Sequence, residues 1–205
     1  MPMKVYKQAL KLVEKFGETI SIGGGEPTVH PQFWQYLGLA LGTDSEYLWM
    51  ATNGKKTDDA IKLARMARKG ILGVALSQDV FHEELPWQVE DAFKAGKEYK
   101  CGWFHSESDH DLREIRDVSQ NVINVGRAKR NQLGMNFKDC VCDDLFCDPD
   151  GNIFSCGCKK EKFGTVFKPA IPDEYWERGS RCPKENRRYL AKSRARESQI
   201  EMVEA

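Results

Sequence analysis

Apolar residues recur at helical spacing at Val5, Ala9, Leu12, Val13 and Phe16, which predicts a helix from about residue 4 to 16, stopped by Gly17. A β-prone run at 19–22 leads into Gly23-Gly24-Gly25-Glu26-Pro27, and His30-Pro31 opens an apolar helix over 31–41 that ends at Gly42. A buried strand over 47–51 runs into Thr52-Asn53-Gly54. Thr57 reads as the N-cap of the next helix, with Asp58 and Asp59 in its first turn and Arg65, Arg68 and Lys69 in its last, charges that suit the helix dipole at both ends. A third strand over 71–76 ends at Ser77-Gln78-Asp79, and a helix over 86–95 closes at Gly96. This α-β-α-β-α-β-α alternation predicts a parallel sheet flanked by helices, with Phe33 and Trp49 in the core. Beyond it the pattern weakens. Residues 99–104 read as one strand, Leu112, Ile115 and Val118 as a short helix, and 121–125 as a further strand.

From Gln132 the character changes. Asp148-Pro149-Asp150-Gly151 is a turn signal between two short runs, 144–147 and 152–156, and predicts a β-hairpin. With the turn centred on Pro149-Asp150, Cys147 falls near Ile153 and Cys142 opposite Cys158. The tail, 184–205, begins basic and ends acidic and reads as a solvated helix or a partly disordered segment. The expected organisation is an α/β domain over 1–131, a cysteine-rich module over 132–183 and a charged tail over 184–205.

Composition narrows the function classes. Hydrophobic residues make up 40% of the 205, enough for a core. The 31 basic and 31 acidic residues cancel, which argues against a bulk nucleic-acid or membrane partner. The basic tail residues Arg187, Arg188, Lys192, Arg194 and Arg196 have no interleaved aromatics. There is no signal-peptide pattern and no apolar segment of membrane-crossing length, so the expectation is a soluble cytoplasmic protein. Of seven cysteines, Cys101 stands alone and reads as a small buried hydrophobe, while five fall within 19 residues. In a cytosolic chain clustered thiols point to metal binding. The candidate ligands are Cys140, Cys142, Cys147, Cys156, Cys158 and Cys182, and their spacing suits zinc or an iron–sulfur cluster.

In a parallel α/β sheet, ligands sit at the carboxyl ends of the strands. Three successive strand ends carry suitable groups: the glycine loop with Glu26 and Pro27, then Thr52-Asn53-Gly54, then Ser77 and Asp79 with His82 nearby. Each alone is an ordinary turn, but in series they suit a polar ligand such as a nucleoside joined to an amino acid. The basic turn Gly126-Arg127-Ala128-Lys129-Arg130 reads as a carboxylate or phosphate contact or as a solvated loop.

Ile22-Gly23-Gly24-Gly25-Glu26-Pro27-Thr28-Val29-His30-Pro31 resembles the glycine-glycine-glutamate-proline motif of radical S-adenosylmethionine (radical SAM) enzymes. Thr52-Asn53-Gly54 is similar to the strand-end motif that follows it in that family, and Val74-Ala75-Leu76-Ser77-Gln78-Asp79 to its serine-x-aspartate pattern. The likeness covers roughly residues 4–130. It implies a partial (β/α) TIM-like barrel with S-adenosylmethionine at its strand ends. There a [4Fe–4S] cluster cleaves the ligand reductively to a radical that abstracts hydrogen from a small-molecule or peptide substrate. It also implies that Gly24, Gly25, Glu26 and Pro27 line the methionine amino group, with Asn53, Ser77 and Asp79 near the ribose or carboxylate. The Asp148–Cys156 stretch and Phe163-Gly164-Thr165-Val166 resemble the auxiliary-cluster (SPASM-like) region of radical SAM maturases, which implies an auxiliary [4Fe–4S] cluster in preference to zinc.

The chain departs from that family in one respect. The CxxxCxxC triplet that holds the catalytic cluster is missing, and no cysteine precedes Cys101. The expectation is a fragment of a longer enzyme, a chain completed by a second polypeptide that supplies the loop, or a non-catalytic metal- or partner-binding relative. A zinc-stabilised nucleotide-binding α/β protein is a further reading.

Overall fold

The computed structural model describes residues 1–16, 19–78, 82–100, 103–106, 110–116, 144–159, 161–173 and 175. The stop at Gly17, the strand at 121–125, the basic turn at 126–130 and the charged tail lie outside the described residues. The chain divides into two compact units, Leu10–Val122 and Met1–Ala9 with Ile123–Ala205. Among the described residues no helix is long and apolar enough to cross a membrane.

The Leu10–Val122 unit is a mixed α/β structure on a four-stranded parallel sheet. Helix α1 (Met3–Phe16), whose residues up to Ala9 belong to the other unit, leads into β1 (Thr19–Ile22), α2 (Phe33–Leu41), β2 (Tyr47–Thr52), α3 (Thr57–Arg68), β3 (Gly73–Ser77) and α4 (Trp87–Lys94). The strands lie in the order β1-β2-β3-β6, where β6 is Arg113–Arg116. Among the described residues the sheet is open, without barrel closure. Strand β3 is a continuous apolar run because it is central and covered on both faces: Val74, Ala75 and Leu76 are fully buried. Strand β2 alternates in burial, with Leu48, Met50 and Thr52 inward. Helix α3 turns Ala60, Leu63, Ala64 and Ala67 to the core at i, i+3, i+4 and i+7.

Some expectations need correction. Leu112 and Ile115 do not start a helix: Leu112 precedes β6 and Ile115 lies within it, paired with Leu76. A spacing of three suits a helix, but hydrogen bonding to β3 decides the outcome. The single strand expected over 99–104 is an antiparallel pair, β4 (Lys97–Lys100) and β5 (Trp103–Ser106). Thr57 is the first helical residue of α3, and the cap position belongs to Lys56 with no side-chain cap bond. His30-Pro31 does not open α2. A short 3-10 turn, Pro27–Val29, comes first, and α2 starts at Phe33. Phe33 is buried, whereas Trp49 is only half-buried, with the Arg116 guanidinium 5.5 Å from its ring centre.

Buried charge ties β6 to α4. Arg113 donates to Asp111 Oδ2 at 2.5 Å and to the carbonyls of Ala92 and Ala95, closing the carboxyl end of α4 with a cation. The Lys97 ammonium donates to the Arg113 carbonyl. Burial pushes the Asp111 carboxyl up, but bonds from Arg113 and the charge of Lys97 outweigh it and hold it at about 2. Burial lowers Lys97.

The other unit carries an antiparallel sheet in the order β10-β9-β8-β7. Its strands are β7 (Phe146–Cys147), β8 (Asn152–Phe154), β9 (Lys162–Thr165) and β10 (Lys168–Pro169). Ile153, Cys156, Phe163, Val166 and Tyr175 form its core, and the Tyr175 hydroxyl donates to the Ser155 carbonyl at 3.1 Å. Gly151 sits at φ +84°, where a Cβ would lie 3.0 Å from Val5 and 3.1 Å from Val166, so the turn takes only glycine without strain.

Candidate functional site

Because β1, β2, β3 and β6 run parallel, their carboxyl ends lie at one edge of the sheet. The register aligns Ile22 with Met50 and Thr52 with Leu76, so Gly23, Asn53 and Ser77 follow at the same edge. Gly23, Gly24 and Gly25 are exposed, and a Cβ on any of them would meet no atom within 4 Å. Gly24 adopts φ +133°, a conformation that side chains avoid. The loop after β1 therefore offers unobstructed backbone to a ligand.

Glu26 fixes the far end of this loop. Its Oε1 accepts from the Thr28 N–H (3.1 Å), the Thr28 hydroxyl (2.7 Å) and the Thr52 hydroxyl (2.9 Å). Its Oε2 accepts from the Asn53 N–H at 2.5 Å. Thr28 and Thr52 are buried. Thr52 in turn accepts from the Gly54 N–H at 3.2 Å, and Asn53 Oδ1 accepts from the Lys55 N–H at 3.0 Å. Gly54 has φ +72°, and a Cβ there would lie 3.0–3.1 Å from Leu76, Leu85 and Val89. Pro27 opens the 3-10 turn.

At the third strand end, Ser77 is half-buried and aligns with Arg116. Gln78 extends the ladder by donating its N–H to the Arg116 carbonyl at 2.9 Å, and its side chain donates to Glu90 at 2.9 Å. Asp79 lies outside the described residues. The structure thus joins Glu26 to Thr28, Thr52 and Asn53, with Gly24 and Gly25 in the exposed loop before it, Pro27 after it and Ser77 at the same sheet edge. Thr28 and Thr52 are contributors that sequence reasoning missed. Both stood inside the quoted motifs; the Thr28 hydroxyl meets Glu26 within the local turn, whereas the Thr52 hydroxyl reaches it only once β1 and β2 pair.

The cysteine segment belongs to the other unit. Cys147 aligns with Ile153, and Phe146 with Phe154, as the turn-centred register predicts. The turn is held by Asp148, whose Oδ1 accepts from the Asp150 N–H (3.1 Å), the Asn152 N–H (2.9 Å) and the Asn152 side-chain amide (3.1 Å). Its Oδ2 accepts from the Lys159 ammonium at 3.2 Å. That ammonium also lies 5.4 Å and 5.3 Å from the ring centres of Phe146 and Phe154. Burial, then the Asp148 charge, pushes the Cys147 thiol up to about 11. Cys156 is buried and Cys158 half-buried. Among the described residues no group of three or more His, Cys, Asp or Glu side chains could hold a metal ion. Cys140, Cys142 and Cys182, like Cys101, lie outside the described residues.

No protein-family profile, curated protein or solved structure matches this chain.

Proposed function

We propose that the carboxyl ends of β1–β3 bind S-adenosylmethionine and that the chain is a radical SAM-type iron–sulfur protein, part of a longer enzyme or one completed by a second polypeptide. The observation that carries this reading is the glycine loop. It is exposed, free of neighbours and anchored at Glu26, at the end of a parallel sheet where α/β proteins take their ligands. The backbone of Gly23–Gly25 suits the amino-acid end of the ligand, and Asn53 and Ser77 suit its hydroxyl groups. When bound together, the ligand and a reduced cluster supply radical chemistry, and this chain's own residues bind and orient the ligand. The reading adds an auxiliary [4Fe–4S] cluster on the cysteine segment. The described thiols do not form such a site by themselves, so the proposed ligand set takes in Cys140, Cys142 and Cys182 with Cys147, Cys156 and Cys158.

The second reading is a zinc- or cluster-binding relative without radical chemistry. It rests on the clustered cysteines between positions 140 and 158 alone. Anaerobic purification followed by iron, sulfide and zinc analysis tests both, alongside S-adenosylmethionine titration by calorimetry. The first reading expects about four iron and four sulfide per chain, lost in Cys156→Ala/Cys158→Ala, together with saturable S-adenosylmethionine binding. Stoichiometric zinc without sulfide, and no binding heat, selects the alternative.

A further inference from the structure

We propose that Glu26 is a positioning residue. It acts through Thr52 and Asn53 to hold the glycine loop in its binding shape, so that a ligand meets an already ordered loop backbone. The inference rests on the S-adenosylmethionine reading of that loop and concerns how the site is built.

Three consecutive glycines have more backbone freedom than any other tripeptide, and ordering them opposes binding. One end of the loop is fixed because Ile22 belongs to the β1–β2 ladder. The other end is fixed by a single carboxylate. Oε1 receives three donors and Oε2 a fourth, whereas a carboxylate has about four lone-pair sites in all. Oε1 is therefore saturated by the protein. The donors are two backbone N–H groups and two hydroxyls, and no ion pair to Glu26 occurs among the described residues. Thr52 is 1% exposed and Thr28 4%, so both hydroxyl donors are shielded from water, while Glu26 and Asn53 are half-buried.

The Thr52 hydroxyl then does two jobs. It donates to Glu26 and accepts from the Gly54 N–H, so one oxygen couples the loop after β1 to the turn after β2. Two of the three strand-end motifs thereby form one rigid piece before any ligand arrives, which removes part of the ordering cost of binding.

The test uses the full chain with Thr52→Val, which keeps shape and loses the hydroxyl, and Thr52→Ser, which keeps the hydroxyl. Amide hydrogen exchange is read at Thr28 and Asn53, with Leu63 in α3 as the internal reference, and S-adenosylmethionine affinity is read by calorimetry. The expected result for Thr52→Val is about tenfold faster exchange at Thr28 and Asn53 and about tenfold weaker binding, the size of one lost hydrogen bond to a charged group. Leu63 should not change, and Thr52→Ser should restore both readouts. Unchanged exchange at Thr28 and Asn53 overturns the inference, and so does normal affinity despite faster exchange. If Thr52→Val speeds exchange at Leu63 as well, the fold as a whole has weakened. Glu26→Gln, at a part-exposed position, then carries the same comparison with the same two outcomes. Wild-type protein that fails to bind S-adenosylmethionine while its exchange pattern follows the prediction sinks the ligand assignment and leaves the Glu26 tether standing.

Discussion

Glu26 and Asp148 each gather backbone and side-chain donors around one carboxylate, yet they reach for them over different distances along the chain. Glu26 draws on Thr28, two residues away, but also on Thr52 and Asn53, 26 and 27 residues away, and its partners carry no charge. Asp148 draws on residues 2, 4 and 11 positions away, and one of them is the Lys159 ammonium. The Asp148 turn is a local device that a short peptide pattern encodes. The Glu26 tether exists only after two strands have paired, so it reports on tertiary structure and joins two loops that the sequence separates. The first arrangement suits a hairpin whose turn is closed by its own neighbours. The second suits a site assembled from several strand ends.

A third carboxylate sets the upper end of the scale. Asp111 and Arg113 are 3% and 1% exposed, and Arg113 also closes the end of α4. Arg113→Ala leaves a buried charge and two carbonyls without their partner, and the expected loss is about 3–5 kcal/mol in urea denaturation. If that variant melts like wild type, the buried pair contributes nothing and the ranking of the three carboxylates collapses. Asp148→Ala comes next, at about 2–3 kcal/mol by the same measurement, because the Asp150 and Asn152 groups lose their common acceptor. Asp148→Asn should retain part of that stability. Equal losses in the two variants would assign the role to the Lys159 charge rather than to the backbone bonds.

Acid separates the carboxylates further. Asp111 titrates at about 2 when folded, below the ordinary carboxylate value of about 3.9. The unfolded chain therefore takes up the proton first. The stability that Asp111 contributes is complete above about pH 4 and drains away as pH falls toward 2. Burial raises Asp148, but bonds from Asn152 and Lys159 lower it overall, so it adds to the same acid loss. A urea midpoint followed from pH 6 to pH 2 should fall less steeply in Asp111→Asn. Parallel curves would sink this account.

The smallest effect on folding is also the simplest to read. With its thiol at about 11 against an ordinary 9.0, Cys147 holds roughly a hundredth of the usual thiolate at neutral pH. Alkylation at pH 8 should be about a hundredfold slower than for an unhindered thiol. Asp148→Asn, which removes the second cause of the shift, should raise the rate. A fast rate in wild type would mean that Cys147 is neither shielded nor perturbed. Metal uptake through this thiol must expel its proton, so binding should strengthen with rising pH.

Legibility in the sequence followed range. The helices α1, α3 and α4 and the strands β1, β2 and β3 could be read from apolar spacing, because each shows one clear face or one continuous buried run. The Cys147–Ile153 register could be read because Asp148-Pro149-Asp150-Gly151 fixes its own turn. Strand β6 misled, since Leu112 and Ile115 carry a helical spacing that pairing with β3 overrides. Arg113 could not be found, because its partners on α4 lie 18 and 21 residues away. At the candidate site, the residue types of the glycine loop and of Thr52-Asn53-Gly54 were visible. Their union through Glu26 was not, because nothing local in either motif points to the other.

The Asn53-Gly54 step has a chemical consequence for the lifetime of the chain. Where glycine follows asparagine, no Cβ hinders attack of the next backbone nitrogen on the side-chain amide, so such steps cyclise and decay to aspartate and isoaspartate. Here the attacking Gly54 nitrogen is held by Thr52 and the Asn53 amide oxygen by Lys55. The turn is therefore protected from ageing while the sheet edge is intact and exposed to it once the edge frays. An isoaspartate at position 53 would add one atom to the backbone immediately after β2, at the residue whose N–H donates to Glu26.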